Sequence, residues 1–238
     1  MMDSMNIQVL SDDIPERVTA HIAHTCGWTT ESRPAKLMLT SCFGEESIKA
    51  CLEPPFIGGC EVDEANGSVP GHRMLDHLRA GGMAMSVSTV SAYQYELSIT
   101  FVSALCRRHP QLAPRSEEIE RSVHEMMANA LVHGNLEVAS PKPGMAGFDA
   151  YCKALDHALA DPALQRRRVE ISGLCTSDGL LEIAILDHGP GYDFGEVTRI
   201  DVEASPRQHG LAIVSAAGRL RVEDGGRCAI LSLDVGAP

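Results

Sequence analysis

The sequence lacks several features that would assign it to a protein class at once. No apolar run reaches the ~18 residues that a membrane-spanning helix needs. The first residues, Met-Met-Asp-Ser-Met-Asn, have neither the basic stretch nor the apolar core of a signal peptide. None of the eight cysteines belongs to a C-x-x-C pair, so a zinc or redox motif is not indicated. These absences predict a cytoplasmic protein with no membrane partner.

Positive charge is also scarce. The chain has 20 Lys and Arg against 32 Asp and Glu, a formal net charge of −12. Affinity for nucleic acid comes largely from basic side chains at phosphates, so direct nucleic-acid binding is disfavoured. The one basic cluster, Arg166 to Arg168, directly precedes a strand-like run. We interpret this cluster as a solvated loop edge.

The 238 residues allow one large domain or two modest ones with a sizeable core. From residue 92 onward, the pattern predicts the order α, α, α, β, β, α, β, β, which is typical of an α+β fold. We therefore predict an α/β sandwich, with helices on one face of a mixed sheet, over residues 91–238. A small α/β region is predicted over residues 1–90. Residues 53–72 are rich in proline and glycine and are predicted to be loop.

The clearest polar pattern lies on a helix predicted from Ser116 to about Gly134. Glu125, Asn129 and His133 are four residues apart, and at ~100° per residue they share one stripe. One interpretation is a solvated polar face. The other is chemical, because an Asn amide oxygen suits Mg²⁺, which keeps its waters and phosphates. A nearby Glu can then deprotonate an attacking hydroxyl.

A second pattern follows an apolar strand predicted over residues 180–186. Asp187 ends the strand, and Gly189 and Gly191 follow it. An ionised carboxylate only accepts hydrogen bonds, so it can accept one from an adenine amino group. The glycines remove side chains where a ring must approach the backbone. An ordinary strand-ending turn fits the same residues, and no P-loop is present.

Two further segments complete the pattern. Gly210 and Leu211 open a short helix predicted to end at Gly218, and a helix N-terminus can bind an anion. A plain glycine-started helix explains the same residues. Asp224-Gly-Gly lies between two apolar alternations and predicts a β-hairpin.

Together these segments resemble the motifs of the GHKL (Bergerat-fold) ATPase superfamily, over roughly residues 92–238. Residues 125–135 resemble the N-box, 187–191 the G1 box and 209–214 the G2 box, with the glycine hairpin before the last strand. Within the superfamily, the chain is most similar to the anti-sigma factor serine/threonine kinases. Its N-box ends in His-Gly-Asn, its G1–G2 segment is short, and no phosphoacceptor-histidine helix precedes it.

The resemblance implies an ATP-binding site with Mg²⁺ under a lid at about residues 192–209. In such a site, Asp187 contacts adenine, Asn129 ligates Mg²⁺ and Glu125 acts as the catalytic base. The other cofactor-binding residues are expected to be His133, Gly189, Gly191, Gly210 and Leu211.

The implied function is transfer of phosphate from Mg-ATP to a serine of a protein antagonist. The expected partner is a sigma factor or an anti-sigma antagonist, with a homodimer as an open option. The chain departs from the family at Gln208, which replaces the first glycine of the second glycine motif. Two alternatives therefore stay open: a nucleotide-binding partner-switch module without turnover, and a histidine-kinase-like catalytic module acting in trans.

The N-terminal region has a weaker resemblance. The strand-like residues 7–10, followed by Asp12 and Asp13, resemble the start of a receiver domain. Thr40 and Ser41 stand where a receiver presents its phosphorylatable Asp. The region is interpreted either as a degenerate receiver or as an unrelated small α/β appendage.

Overall fold

One mixed sheet of eight strands organises the protein, in the order β1-β2-β3-β4-β5-β6-β8-β7. The structure is a computed structural model that describes residues 7–62, 69–191 and 206–236. The strands are β1 (Ile7–Leu10), β2 (Ala35–Thr40), β3 (Phe56–Glu61), β4 (Met83–Ser88), β5 (Arg168–Cys175), β6 (Leu180–Asp187), β7 (Arg219–Glu223) and β8 (Cys228–Asp234).

Helices cover both faces of this sheet. No helix within the described residues is both long and apolar enough to cross a lipid bilayer. A π-helix over Asn129–Asn135 continues α6 directly. The α-helices are α1 (Glu16–Cys26), α2 (Glu45–Cys51), α3 (His72–Arg79), α4 (Thr89–Gln94), α5 (Leu97–Arg108), α6 (Ser116–Ala128), α7 (Met145–Ala160), α8 (Pro162–Gln165) and α9 (Pro206–Ala217).

The sheet changes character at β4. Strands β1 to β4 are parallel, whereas β4 pairs antiparallel with β5, and β5, β6, β8 and β7 continue antiparallel. The sheet is therefore continuous across residue 90. The predicted fold class, an α+β sandwich with a mixed sheet, is confirmed. The helices α5, α6 and α9 lie on one face, as predicted for residues 91–238, whereas α1 and α3 of the N-terminal region cover the other face.

Side-chain alternation along the strands divides the core between the two faces. Met83, Met85 and Val87 of β4 pack with apolar residues of α2, α5, α6 and α9. Ala84, one residue out of phase, packs on the opposite face with residues of α1 and α3. This alternation is the period-2 pattern of strands. It places α5, α6 and α9 together on the face that carries the pocket described below.

The prediction of loop over residues 53–72 is wrong for Phe56–Glu61, which form β3. Its glycines are required by close packing. A Cβ on Gly58 would lie 1.7 Å from the Ala84 carbonyl oxygen, and one on Gly59 would lie 2.5 Å from the Phe43 ring. A strand buried on both faces has no polar alternation. Its glycines and the preceding prolines therefore have the pattern of a loop.

The N-terminal strands follow the order β1-β2-β3-β4. Flavodoxin-like folds, to which receiver domains belong, have the order 2-1-3-4-5. The observed order therefore gives the receiver-like interpretation no support. The Asp13 carboxylate accepts hydrogen bonds from the Thr40 hydroxyl at 2.9 Å and from the Ser41 N–H at 2.7 Å. These bonds join the end of β1 to the end of β2.

The basic cluster is only partly a solvated loop edge. Arg166 is exposed, as predicted, but Arg168 is 8% exposed, and the prediction is wrong for this residue. Its guanidinium donates to the Ser86 carbonyl oxygen at 2.6 Å. The neighbouring Glu170 accepts from the Gly71 N–H at 2.9 Å, and burial raises the pKa of its carboxyl group. Arg168 is thus part of a buried polar network behind the sheet.

We expect Gly58→Ala to lower the free energy of unfolding by at least about 3 kcal/mol, because its Cβ would overlap the backbone of β4. Gly225→Ala is the matched control, since Gly225 also has a positive φ (+63°, with ψ +32°) but has no atom within 4 Å of the added Cβ. It should cost about 1 kcal/mol. Urea unfolding of both variants checks this, and equal losses would contradict the packing of β3.

Candidate functional site

A pocket lies between the end of α6, the π-helix, the end of β6, the start of α9 and the β7–β8 turn. Its volume is about 450 Å³, including the space at its open mouth. It unites three segments that are far apart in the sequence. Five of the predicted site residues line it: Asn129, His133, Asp187, Gly191 and Leu211.

The helix that carries the polar stripe changes its winding at Asn129. It is α-helical to Ala128 and π-helical over Asn129–Asn135, a change that a regular-helix prediction does not include. Single π-helical turns inside helices are frequent at functional sites. Both Asn129 and His133 still face the pocket. His133 Nδ1 makes a 2.6 Å hydrogen bond to the Val138 carbonyl oxygen, which requires Nδ1 to carry a proton.

The Asp187 carboxylate is buried (6% exposed) and held by the turn that follows it. Its Oδ1 accepts from the Gly189 N–H at 2.8 Å, and its own N–H donates to the Arg227 carbonyl oxygen at 3.0 Å. Gly134 lies directly against it, because a Cβ there would be 2.5 to 2.7 Å from the carboxylate atoms. The carboxylate is therefore fixed in position, and position 134 must lack a side chain.

The glycines of the G1-like turn serve close backbone packing. A Cβ on Gly189 would lie 2.2 Å from the Gly134 carbonyl oxygen. Gly191 has φ +77°, and a Cβ there would lie 2.1 Å from the Gly225 carbonyl oxygen. Gly191 also lines the pocket, whereas Gly189 does not. The turn is thus pressed against the π-helix on one side and the β-hairpin on the other.

Asn135 is a residue of the site that the sequence did not single out. It is fully buried, and its amide nitrogen donates to the Thr89 hydroxyl and to the Arg168 carbonyl oxygen, both at 2.9 Å. Its amide oxygen accepts from the His188 N–H at 2.8 Å. Asn135 therefore ties the π-helix to the start of α4, to β5 and to the turn after β6. An Asn directly after a His-Gly pair was the available signal.

Glu125 and Gly210 contact each other rather than the open pocket. A Cβ on Gly210 would lie 2.6 Å from Glu125 Oε2 and 3.6 Å from Asn129 Nδ2. Glu125 is half-buried and does not line the pocket. Gly210 is thus the point where α9 packs on the polar stripe of α6.

The start of α9 differs from the prediction. The helix begins at Pro206, not at Gly210. The N–H of Gly210 therefore lies beyond the first four, which are the ones that a helix start leaves free. Gln208 falls in the first turn. Most of the predicted lid, residues 192–205, lies outside the described residues.

The side-chain amide of Asn129 is available to bind a polar ligand in the pocket. Its Nδ2 atom is buried and has no hydrogen-bond partner among the described residues. Most buried polar side-chain atoms in native proteins do have a hydrogen-bond partner. No group of three His, Cys, Asp or Glu side chains that could hold a metal occurs in residues 7–62, 69–191 or 206–236. A single amide beside the pocket suits Mg²⁺ brought in with a phosphate ligand, because Mg²⁺ uses few protein oxygens there.

Positive charge surrounds the turn after Asp187. Burial lowers the pKa of His188, and the nearby charges of Arg168, Arg227 and Arg167 lower it further. Arg227 also lines the pocket, in the turn next to the glycine hairpin. The sequence offered no signal for this residue beyond its position beside Gly226.

Comparison of the chain with protein-family models and with curated proteins found no match.

We expect Asn135→Ala to lower the free energy of unfolding by about 3 kcal/mol, because it removes three hydrogen bonds of a fully buried amide that join the π-helix to three other segments. Asn129→Ala is the matched control in the same π-helix. It removes an amide whose Nδ2 lacks a partner among the described residues, and alanine favours a helix, so stability should change by less than about 1 kcal/mol. Chemical unfolding measures both. A larger loss for Asn129→Ala would contradict these assignments.

Proposed function

We propose that this protein is a cytoplasmic ATP-binding regulator of the anti-sigma serine/threonine kinase type, which transfers phosphate from Mg-ATP to a serine of a protein antagonist. One observation carries the proposal. The N-box-like, G1-like and G2-like segments each contribute residues to a single pocket, through Asn129, Asp187 and Leu211. The three segments resemble one superfamily by sequence, and that resemblance implies a shared site.

The residues of the pocket suit a nucleotide. The Asp187 carboxylate is rigid, buried and acceptor-only when ionised, so it recognises the amino group at position 6 of adenine. Leu211 and Ile185 supply apolar walls for a base. Asn129 offers an amide oxygen to Mg²⁺. His133, with its Nδ1 proton on the Val138 carbonyl oxygen, stays oriented beside it.

Glu125 is the proposed base. When bound, ATP would supply the phosphoryl group and Mg²⁺ would neutralise charge on the phosphates. The role of Glu125 is to accept the proton of the antagonist's serine hydroxyl. Its carboxylate lies at the contact between α6 and α9, next to Asn129 across Gly210. A shift of α9 would open this contact and expose the carboxylate.

A partner-switch module that binds nucleotide without turnover is the second candidate. Glu125 does not line the pocket, and its carboxylate is covered by Gly210. Gln208 replaces a glycine of the family motif in the first turn of α9. In a partner-switch module, bound nucleotide would determine the position of α9 and thereby the shape of the surface that binds a partner.

We expect Asp187→Asn to weaken ATP binding at least about tenfold and to reduce the preference for ATP over GTP, because an amide no longer acts only as an acceptor. Asp178→Asn changes an exposed carboxylate of the β5–β6 turn and should leave both affinities unchanged. Titration calorimetry with each nucleotide in Mg²⁺ tests this. Equal ATP affinity in wild type and Asp187→Asn would refute the assigned pocket.

Transfer is tested separately, with ATP labelled on the γ-phosphate and a panel of candidate antagonists. We expect label on a serine of one antagonist, and loss of transfer in Glu125→Gln at unchanged ATP affinity. Transfer that persists in Glu125→Gln would rule out Glu125 as the base. Tight ATP binding with no transfer to any candidate would favour the partner-switch module.

A further inference from the structure

A second, larger cavity lies on the other side of α6 from the nucleotide pocket. It is a groove of about 670 Å³, including the open space at its mouth, between the α4–α5 junction and the α6–π-helix segment. Asn129 and Ala130 face the nucleotide pocket, whereas His124, Met127 and Leu131 face the groove. One helix therefore forms a wall of both cavities.

The groove has an apolar floor and a partly exposed apolar rim. Leu97, Met127 and Leu131 are buried at its base. Tyr93 and Ile99 line it while remaining 45% and 37% exposed. A groove between two helices with exposed apolar side chains is the shape that receives the apolar face of another helix. Such contiguous apolar surface marks interaction sites on soluble proteins.

Aromatic side chains extend this surface onto α7. Burial raises the pKa of Tyr151, and the neighbouring Tyr93 phenol raises it further. The Phe148 ring is 6.4 Å from that of Tyr151, and Phe148 is 56% exposed. Exposed aromatic residues of this kind are enriched at protein interfaces and often dominate their binding energy.

The charge around the groove is acidic. Glu96 lines the groove and is exposed. On α6, Glu117 and Glu120 precede the groove-lining His124 by seven and four residues, so they lie on the same face of the helix, together with the single arginine, Arg121. The two arginines of α5 lie at its far end, where Arg107 pairs with Glu53 and Arg108 donates to backbone carbonyl oxygens. A second copy of this chain would bring another net charge of −12 to an acidic surface. A basic occupant is favoured by charge complementarity.

We propose that this groove docks an amphipathic helix of a partner protein, with apolar side chains in the groove and lysine or arginine residues on its flanks. The helix lies along α5 and α6, and its basic residues face Glu96 and the acidic surface of α6. This inference does not depend on the proposed nucleotide function.

The test uses two labelled helical peptides of about 15 residues that share the same leucines at i, i+4 and i+7 spacing. One carries lysines at the flanking positions and the other glutamates. Fluorescence anisotropy with the full chain, without nucleotide, measures binding. We expect the lysine peptide to bind at least about tenfold more tightly. Absence of binding, or equal affinity for the two peptides, would overturn the proposal.

Two variants test whether the lysine peptide binds in the groove. Ile99→Arg should weaken the lysine peptide at least about tenfold, because it removes an apolar contact and repels the lysines. Leu180→Arg changes a leucine that is 42% exposed and does not line the groove, and it should have no effect. Circular dichroism checks that both variants fold. Undiminished binding by a folded Ile99→Arg would overturn the proposal.

A third variant tests the role of charge, and a measurement of the oligomeric state tests whether a second copy of the chain occupies the groove. Glu96→Gln removes the charge at nearly constant volume, so it should weaken the lysine peptide about threefold and leave the glutamate peptide unaffected. Sedimentation velocity should give a monomer in both wild type and Ile99→Arg. A wild-type dimer that Ile99→Arg dissociates would assign the groove to a second copy and overturn the proposal. Because no nucleotide is present, failure here leaves the ATP-binding test intact.

Discussion

The side chain of Asn135 is the constraint on which the pocket depends. Its amide joins the π-helix to Thr89 at the start of α4, to the Arg168 carbonyl oxygen of β5 and to the His188 N–H after β6. Gly134, one residue earlier, is thereby pressed on the Asp187 carboxylate. Both polar atoms of the Asn135 amide are hydrogen-bonded, and a fully hydrogen-bonded polar network in a buried setting holds its members in one geometry. The distance between the helix stripe and Asp187 is therefore set by Asn135.

The same helix also connects the two cavities. α6 and its π-helical continuation turn Asn129 and His133 toward the pocket at the end of β6, and Met127 and Leu131 toward the groove. A ligand that displaced this helix on one side would therefore also move a wall of the other cavity. Gly210 of α9 rests on this helix at Glu125. Packing at that contact decides whether the Glu125 carboxylate is covered or available.

Much of the fold and part of the site could be predicted from local pattern. The strands β5, β6 and β8 and the helices α3 and α6 follow clear periodicities, and the polar stripe and the Asp-Gly turn are visible as local motifs. β3 could not be found, because its glycines are dictated by Ala84 and Phe43 on neighbouring elements. The role of Asn135 likewise depends on three partners 33 to 53 residues away. The burial of Arg168 depends on Ser86 of the adjacent strand. Contacts between residues this far apart in the chain cannot be recognised from a short stretch of sequence.

The central claim, that the three motif segments form one nucleotide pocket, is tested most directly by nuclear magnetic resonance. Mg-ATP is titrated into ¹⁵N-labelled protein, and the amide signals are followed residue by residue. We expect the Asn129 side-chain amide and the backbone amides of His188 and Gly189 to shift with one common affinity, while Gly144 stays unchanged. Shifts confined to other parts of the chain, or no shifts at saturating ATP, would contradict the account.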